Sequence, residues 1–379
     1  MSSHFLAWKK RGTEMEAILK YDERAIFALR ALYRQYGYTS FKMSKFEEYD
    51  LYVQNKDFLV SDRVIAFNDT DGRFLALKPD VTLSIIKNTV DEPGCVQKVC
   101  YNENVYRVSG STHQFKEIMQ TGLECIGEVD LCNLAEVLYL AGKSLATVSD
   151  EFTLNISSMG IITAILDQAC KNELFKKEII KLIAEKNSHE ARSLCEKYSL
   201  DKDSTEKIVS LTRLYGGVDV LSKVKELCTD DSAIGAYSRL FELCSTLNET
   251  EIAYKIRIDF SVVNDMNYYN GIVFKGFVNG VPEDILSGGE YDTLMRRMGR
   301  ASKAIGFALY LDLLEALDKT KSEYDVDVLL LYSASNSLKE VMAKKDEIVK
   351  SGRSVSAQMS VPSKLRCKEI IDIRGEAKQ

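Results

Sequence analysis

The sequence predicts an α+β protein in which an antiparallel sheet is flanked by helices, interrupted by an all-helical insert and followed by a small, truncated α/β unit. In residues 1–156 and 249–320, short runs of alternating polarity are separated by turn residues, as expected for antiparallel strands. Between them, residues 157–248 lack proline, contain little glycine and space their apolar residues as helices do. Residues 321–379 begin with a strand, helix, strand order. These patterns define a predicted core, insert and C-terminal unit.

The composition is that of an acidic globular protein. The 379 residues carry a formal net charge of −6, with 45% hydrophobic and 28% charged residues. This balance supplies enough apolar material for a core, and it gives no sign of the basic surface that binding of nucleic-acid phosphates requires. No apolar run is long enough to span a membrane, and the N-terminus lacks the apolar segment of a signal peptide. We therefore expect a cytoplasmic protein.

The cysteines and histidines do not indicate a metal site, and no cofactor is predicted. Nine cysteines are spread along the chain without a CxxC pair, and the three histidines are far apart in the sequence. Zinc sites use close-set pairs of such residues. We interpret the cysteines as free thiols packed among apolar side chains in a reducing compartment.

The first helix is predicted over residues 14–36. Thr13 and Glu16 have the spacing of a capping box at its start, and Gly37 suits the left-handed conformation that ends many helices. The apolar residues of this segment recur on one helical face. Strands are then expected at 64–67, 74–77 and 96–106, followed by a helix over residues 131–148.

The insert is predicted to hold about five helices, with Asp203 and Asp230 at helix starts. After it, residues 254–262 alternate apolar and polar side chains as a strand does. Further strands are expected at 268–277 and 304–309, and a short helix at 311–317. 

The last segment is predicted to begin with a βαβ unit. Strands at 326–332 and 354–359 enclose a helix at 338–351. Ser337 and Glu340 have capping-box spacing at the start of this helix.

Three stretches of the predicted sheet carry polar residues where a core strand would be apolar. They are residues 77–82, residues 117–124, and the pair 267–271 and 287–292. In a strand, Gln120, Gly122 and Glu124 share one face. Carboxylates and amides collected on a concave sheet face suit a small cationic ligand such as an amino-acid ammonium group. The alternative from spacing alone is an exposed sheet face with a simple hairpin turn.

At these residues the sequence resembles the class II histidyl-tRNA synthetase family, from about Gly12 to Leu317. Five short matches occur in the family's order, and together they make the resemblance specific. They are Tyr36-Gly37-Tyr38 with Phe46-Glu47 for motif 1, Val105-Tyr106-Arg107 through Gly122-Leu123-Glu124 for motif 2, Tyr268-Tyr269-Asn270 and Gly288-Gly289-Glu290-Tyr291-Asp292 for the two histidine signatures, and Ala304-Ile305-Gly306-Phe307-Ala308 for motif 3.

The resemblance implies a histidine pocket. In that family the residues matching Asp80 (usually Glu), Thr82 and Gln120 hold the α-ammonium of histidine. The residue matching Glu124 and one tyrosine of the Tyr268-Tyr269 pair contact the imidazole or shape its pocket. Tyr291 lies nearby, and motif 2 retains Arg107. A carboxylate that accepts the imidazole N–H discriminates against ligands that lack this donor.

The departures from the family concern the arginines that activate histidine with ATP. Asn264 stands at the catalytic arginine position and Leu313 at the motif 3 arginine, while residues 108–112 lack the charged residues of the motif 2 loop. Each lost donor to a developing negative charge typically costs a factor of about 100 or more in rate. Ser44 replaces the motif 1 proline, and only about half of an anticodon-binding domain is present. The alternative is that nearby arginines take over, namely Arg296, Arg297 and Arg300.

A chain with this pocket and without these arginines resembles the regulatory subunits of ATP phosphoribosyltransferase. That resemblance implies a subunit without catalytic residues of its own, which assembles with the short-form catalytic subunit and mediates feedback by histidine. It also implies a homodimer formed through motif 1 inside the larger complex, and no tRNA partner. Two other interpretations are an active histidyl-tRNA synthetase with relocated arginines and an amino-acid-sensing module similar to the synthetase-like regions of stress kinases.

Overall fold

A nine-stranded sheet forms the centre of the larger of two compact units, Met1–Leu317 and Asp318–Gln379. The computed structural model of the chain describes residues 19–55, 64–108, 113–263, 268–317 and 323–375. None of the helices in these ranges has the length and apolar character needed to cross a membrane.

The strands of the larger unit form the nine-stranded sheet and a separate three-stranded one. The strands are β1 (Thr39–Ser40), β2 (Phe46–Glu48), β3 (Ala66–Asn68), β4 (Phe74–Leu77), β5 (Val96–Val108), β6 (Phe115–Gly127), β7 (Phe152–Ser158), β8 (Tyr215–Gly216), β9 (Ile256–Asp259), β10 (Ile272–Val278), β11 (Leu286–Glu290) and β12 (Lys303–Tyr310). The large sheet has the order β1-β5-β6-β12-β11-β10-β7-β9-β8, and the small one β2-β4-β3. 

The predicted antiparallel sheet is confirmed for the central strands and is mixed at its edges. All neighbouring pairs from β5 to β7 are antiparallel, whereas β1 with β5 and β7 with β9 are parallel. The parallel pairs join strands that are distant in sequence, with helices in the chain between them, so no hairpin dictates their direction.

Among the described residues, the helices of the larger unit lie at the predicted positions, except that two short ones, Tyr49–Gln54 and Thr82–Asn88, were not predicted. The helices are α1 (Tyr21–Gln35), α2 (Tyr49–Gln54), α3 (Thr82–Asn88), α4 (Leu131–Val148), α5 (Met159–Ala169), α6 (Glu173–Ala184), α7 (Ser188–Lys197), α8 (Lys202–Leu211), α9 (Leu221–Leu227), α10 (Asp231–Leu247) and α11 (Asp292–Arg297). Residues Asp312–Leu317, predicted as a short helix, form a 3-10 helix. 

The first helix begins at Tyr21, where the Glu23 carboxylate accepts a hydrogen bond from the Lys20 backbone N–H at 2.8 Å. The predicted capping pair Thr13 and Glu16 lies outside the described residues. Gly37 follows the helix with φ of 83°, the left-handed conformation that the sequence predicted.

The range predicted as an all-helical insert contains six α-helices and one two-residue strand among its described residues. Strand β8 pairs with β9, so this range also extends the large sheet. The helix start predicted at Asp203 is confirmed to within two residues, and the N-cap is Asp201. The Asp201 carboxylate accepts from the Ser204 N–H at 2.9 Å and from its hydroxyl at 2.6 Å, whereas Asp203 pairs with Lys207 one turn later. Asp230 caps α10 as predicted.

One side of the large sheet is covered by apolar helix faces. Leu29 and Tyr33 of α1 and Leu138 and Leu145 of α4 are buried in one core cluster with the sheet residue Phe307. Helix α4 has the predicted bounds, and Asp130 caps it by accepting from the Asn133 N–H at 2.9 Å. Because these helices occupy one face, the polar strand residues of the opposite face are left to form a site.

The smaller unit is a three-stranded parallel sheet with one helix. Its elements are β13 (Val326–Leu331), α12 (Leu338–Lys350), β14 (Val355–Gln358) and β15 (Cys367–Asp372), in the sheet order β14-β13-β15. Ser337 and Glu340 form the predicted capping box. Strand β15 was not predicted, because its apolar residues do not alternate with polar ones along the strand. Most of its side chains are exposed.

Candidate functional site

The site lies on the face of the large sheet where β6, β12 and β11 run side by side. The register places Glu124 of β6 opposite Gly306 of β12, and Gly306 opposite Gly289 of β11. A Cβ atom at Gly306 would collide with the Glu124 carboxylate. The glycine therefore provides the space in which a buried carboxylate lies flat on the sheet.

Glu124 is the centre of the site. Its side chain is 2% exposed, and it accepts a hydrogen bond from each of two hydroxyl groups. Thr82 Oγ1 donates to Oε1 at 3.0 Å, and the Tyr291 hydroxyl donates to Oε2 at 2.6 Å. Burial raises the pKa of Glu124 to about 8, although the two hydroxyl donors act in the opposite direction. Both hydrogen bonds come from neutral hydroxyl groups, and no cation of the described residues pairs with this carboxyl group, which prepares it for a ligand that brings positive charge or an N–H donor.

Asp80 places a second carboxyl group in the site, at the start of helix α3. Asp80 Oδ1 accepts from the Leu83 backbone N–H at 2.9 Å, and its residue is buried. Burial raises the pKa of Asp80, while the charge of Arg107 lowers it. The Arg107 guanidinium is held beside this turn by donating from Nε to the Pro79 carbonyl at 2.9 Å. Arg107 therefore acts on the candidate site through Asp80.

Three tyrosines form an aromatic wall. The rings of Tyr268 and Tyr269 meet edge to face with centroids 4.5 Å apart, and the rings of Tyr268 and Tyr291 are 6.4 Å apart. Burial raises the pKa of all three well above 10, so each hydroxyl stays protonated. Such a wall offers ring faces and edges to a planar cationic ligand, together with O–H groups as donors or acceptors.

Gln120 lies on the same strand face as Glu124, four residues earlier. It is 3% exposed, and its Nε2 atom has no hydrogen-bond partner in the described part of the chain. Buried polar atoms are nearly always satisfied, so an unpaired amide on this face indicates a partner supplied by a ligand or by water.

The structure brings all eight predicted residues to one side of the sheet, with Thr82, Glu124 and Tyr291 in direct contact. Two neighbours were missed by sequence reasoning. Tyr101 is buried beside Gly122, where a Cβ would lie 2.6 Å from its hydroxyl oxygen. Glu290 is buried and pairs with Arg239. A glycine placed opposite an aromatic residue is the signal that could have identified Tyr101.

Leu313, which stands at the position of the motif 3 arginine, lies in the described part of the chain and packs against the main apolar core. Asn264 and residues 109–112 lie outside the described residues. Among the residues that the structure describes, no group of three or more histidine, cysteine, aspartate or glutamate side chains is arranged to hold a metal ion.

Comparisons with known proteins identify the family. A histidyl-tRNA synthetase family model matches residues 16–314. The ATP phosphoribosyltransferase regulatory subunit of Ruminiclostridium cellulolyticum is 28% identical over 84% of this chain and 79% of its own length. The regulatory subunit of Oceanobacillus iheyensis is 30% identical over 74% of this chain and 70% of its own length.

Solved structures show the same fold. A crystal structure of an ATP phosphoribosyltransferase regulatory subunit/histidyl-tRNA synthetase from Bacillus halodurans C superposes with a TM-score of 0.72 at 22% identity, covering 94% of this chain and 95% of that one. A chain of the ATP phosphoribosyl transferase complex from Thermotoga maritima gives 0.60 at 20% identity, covering 76% of this chain and 96% of that one. The chain therefore belongs to the histidyl-tRNA synthetase family and, within it, to the ATP phosphoribosyltransferase regulatory subunits.

Proposed function

We propose that this chain binds histidine in the Glu124 pocket and transmits that binding to a short-form ATP phosphoribosyltransferase catalytic subunit. The relatives carry the regulatory-subunit name, and one fold neighbour is an ATP phosphoribosyl transferase complex. The observation that carries the histidine assignment is the buried Glu124 carboxyl group, held by Thr82 and Tyr291 without charge compensation from either.

The chemistry of the pocket matches histidine better than an apolar amino acid. An imidazole N–H would donate to Glu124, and an α-ammonium group would donate to the Asp80 carboxylate and to the side-chain oxygen of Gln120. A ligand without a donor would leave Glu124 facing an apolar surface, at a cost of about 1–3 kcal/mol or more. Selectivity for histidine then follows from the penalty on the wrong ligand.

We also propose that the chain does not activate histidine. Formation of an adenylate needs cations around the α-phosphate, and the position that matches the motif 3 arginine is Leu313, whose side chain packs on the core. The three arginines that could substitute have other roles. Arg300 donates to the Ile86 carbonyl at 3.0 Å and lies near Asp91, Arg296 donates to Thr293, and Arg297 donates to the Gln54 carbonyl. These contacts support a non-catalytic subunit.

Reconstitution with a short-form catalytic subunit tests the regulatory role. The chain should co-purify with that subunit and restore its condensation of ATP with phosphoribosyl pyrophosphate, and histidine should inhibit the complex. Glu124→Ala should abolish this inhibition while the complex remains assembled. Glu117→Ala is the control, because Glu117 is an exposed carboxylate on the same strand. Unchanged inhibition in Glu124→Ala would remove this pocket from the regulation.

Histidine-dependent exchange of pyrophosphate into ATP tests the absence of activation. The purified chain should show none above background. Exchange at rates comparable with a synthetase would contradict the non-catalytic assignment and favour the active enzyme with relocated arginines.

The proposed homodimer rests on the motif 1 region. Strand β1 is one of the two edge strands of the large sheet, and no strand of the described residues pairs with its outer side, which a second chain could cover. Ser44, in place of the motif 1 proline, makes a local turn in which its Oγ accepts from the Phe46 N–H at 3.1 Å. Light scattering after size exclusion should give the mass of two chains for the isolated protein, and a monomer would refute the proposal.

We propose a cytoplasmic location for the same complex. All nine cysteines are free thiols, and five of them are buried. This is the cysteine usage of a reducing compartment.

A further inference from the structure

A half-buried ion pair joins helix α10 to Glu290 of strand β11, the residue that precedes the pocket residue Tyr291. The Arg239 guanidinium lies 2.7 Å from Glu290 Oε1, and the two side chains are 47% and 4% exposed. The cation thus lies half in solvent, while the carboxylate lies inside the protein. Because a buried carboxylate needs a cation or several donors, Arg239 helps to hold the Glu290 carboxylate in position.

Glu290 in turn holds the backbone on both sides of Gly271. Its Oε2 atom accepts from the Ile272 N–H at 2.6 Å, and its backbone carbonyl accepts from the Asn270 N–H at 3.1 Å. A Cβ at Gly271 would collide with Oε2, so the backbone lies directly against the carboxylate. The Gly271 carbonyl also accepts from the Met159 N–H at 2.8 Å.

Both segments that Glu290 joins end in pocket residues. Gly271 follows Tyr269 by two residues, and Glu290 immediately precedes Tyr291, the donor to Glu124. Displacement of the Glu290 carboxylate therefore moves the aromatic wall and the hydroxyl that orients Glu124.

We propose that Arg239 is a positioning residue that couples helix α10 to histidine binding. This inference rests on the proposed function. Arg239 holds Glu290 in the geometry that sets Tyr268, Tyr269 and Tyr291, so the pocket reaches its binding arrangement only when α10 is packed in place. By thermodynamic reciprocity, histidine in the pocket stabilises the same packing of α10.

The test measures the dissociation constant of histidine by calorimetry on the full-length chain. Arg239→Met, which retains the aliphatic stem and removes the charge, should raise it about tenfold, a typical size of coupling between sites. Arg239→Lys should recover most of the affinity because it returns the positive charge. Arg192→Met is the matched control, since Arg192 forms an exposed ion pair with Glu206 between two helices of residues 157–248, the range that also contains α10. It should bind as the wild type does.

Each outcome is decisive. Wild-type affinity in Arg239→Met, equal losses in Arg239→Met and Arg192→Met, or failure of Arg239→Lys to recover binding would overturn the inference and leave the proposed function standing. A wild-type chain that does not bind histidine would overturn the proposed function, and this inference with it. If Arg239→Met does not fold, Arg239→Gln is judged by the same criteria, since it also removes the positive charge.

Discussion

Replacing Glu124 by glutamine should stabilise the protein, and the gain should grow with pH. The substitution keeps the shape of the side chain, and it keeps an oxygen and a polar partner for Thr82 and Tyr291. It removes the ability to ionise, and one of the two hydroxyl groups must turn to accept from the new amide N–H. The site thus contains a carboxyl group whose charged form is costly in the absence of a ligand, which is typical of functional sites.

The size of the effect follows from the shifted pKa. The folded protein holds the Glu124 proton up to about pH 8, whereas a carboxyl with the ordinary value of 4.5 releases it earlier. The unfolded chain therefore binds fewer protons between these values, and the free energy of unfolding of the wild type falls as the pH rises through this window. Linkage gives a gain for Glu124→Gln of roughly 2 kcal/mol at pH 6 and roughly 5 kcal/mol at pH 9.

Urea unfolding followed by circular dichroism at pH 6, 7, 8 and 9 measures this difference. Subtracting the wild-type curve from that of Glu124→Gln cancels the titration of groups that both proteins share. Histidine should raise the unfolding midpoint of the wild type and raise that of the variant much less, because the variant cannot carry the negative charge that strengthens the hydrogen bond from the imidazole N–H. Parallel pH profiles for the two proteins would refute the view that Glu124 is a buried, uncompensated carboxyl.

Further substitutions test the contacts around the carboxyl group and one helix start. Tyr291→Phe removes the hydroxyl that donates to Glu124 and should weaken histidine binding by about 1.5 kcal/mol, measured by calorimetry; unchanged affinity would contradict the role of this donor. Gly306→Ala places a methyl group against the Glu124 carboxylate and should lower the free energy of unfolding by about 1–3 kcal/mol in urea, so an unaltered midpoint would contradict the packing. Asp201→Ala should cost about 1 kcal/mol as the loss of an N-cap, whereas Asp203→Ala should change stability little; equal losses would show that the cap is shared.

Local sequence determined much of this protein. Period-two alternation was enough to place Gln120 and Glu124 on one face of a strand, because that relation depends only on backbone geometry within a few residues. Capping chemistry at Ser337 and Asp230 likewise predicted helix starts that the structure confirms. The histidine signatures were recognisable for the same reason, since each is a short contiguous run.

The tertiary structure alone decided how these runs meet. Thr82 is 42 residues from Glu124 and Tyr291 is 167 residues from it, yet both hydroxyls reach one carboxyl group. Their meeting depends on the register of β6, β12 and β11, which is set by packing across the whole sheet. The burial that raises the pKa of Glu124, and the ion pair of Arg239 with Glu290, arise from the same long-range packing. Such properties belong to the surroundings of a residue in space, and no local pattern of residues encodes them.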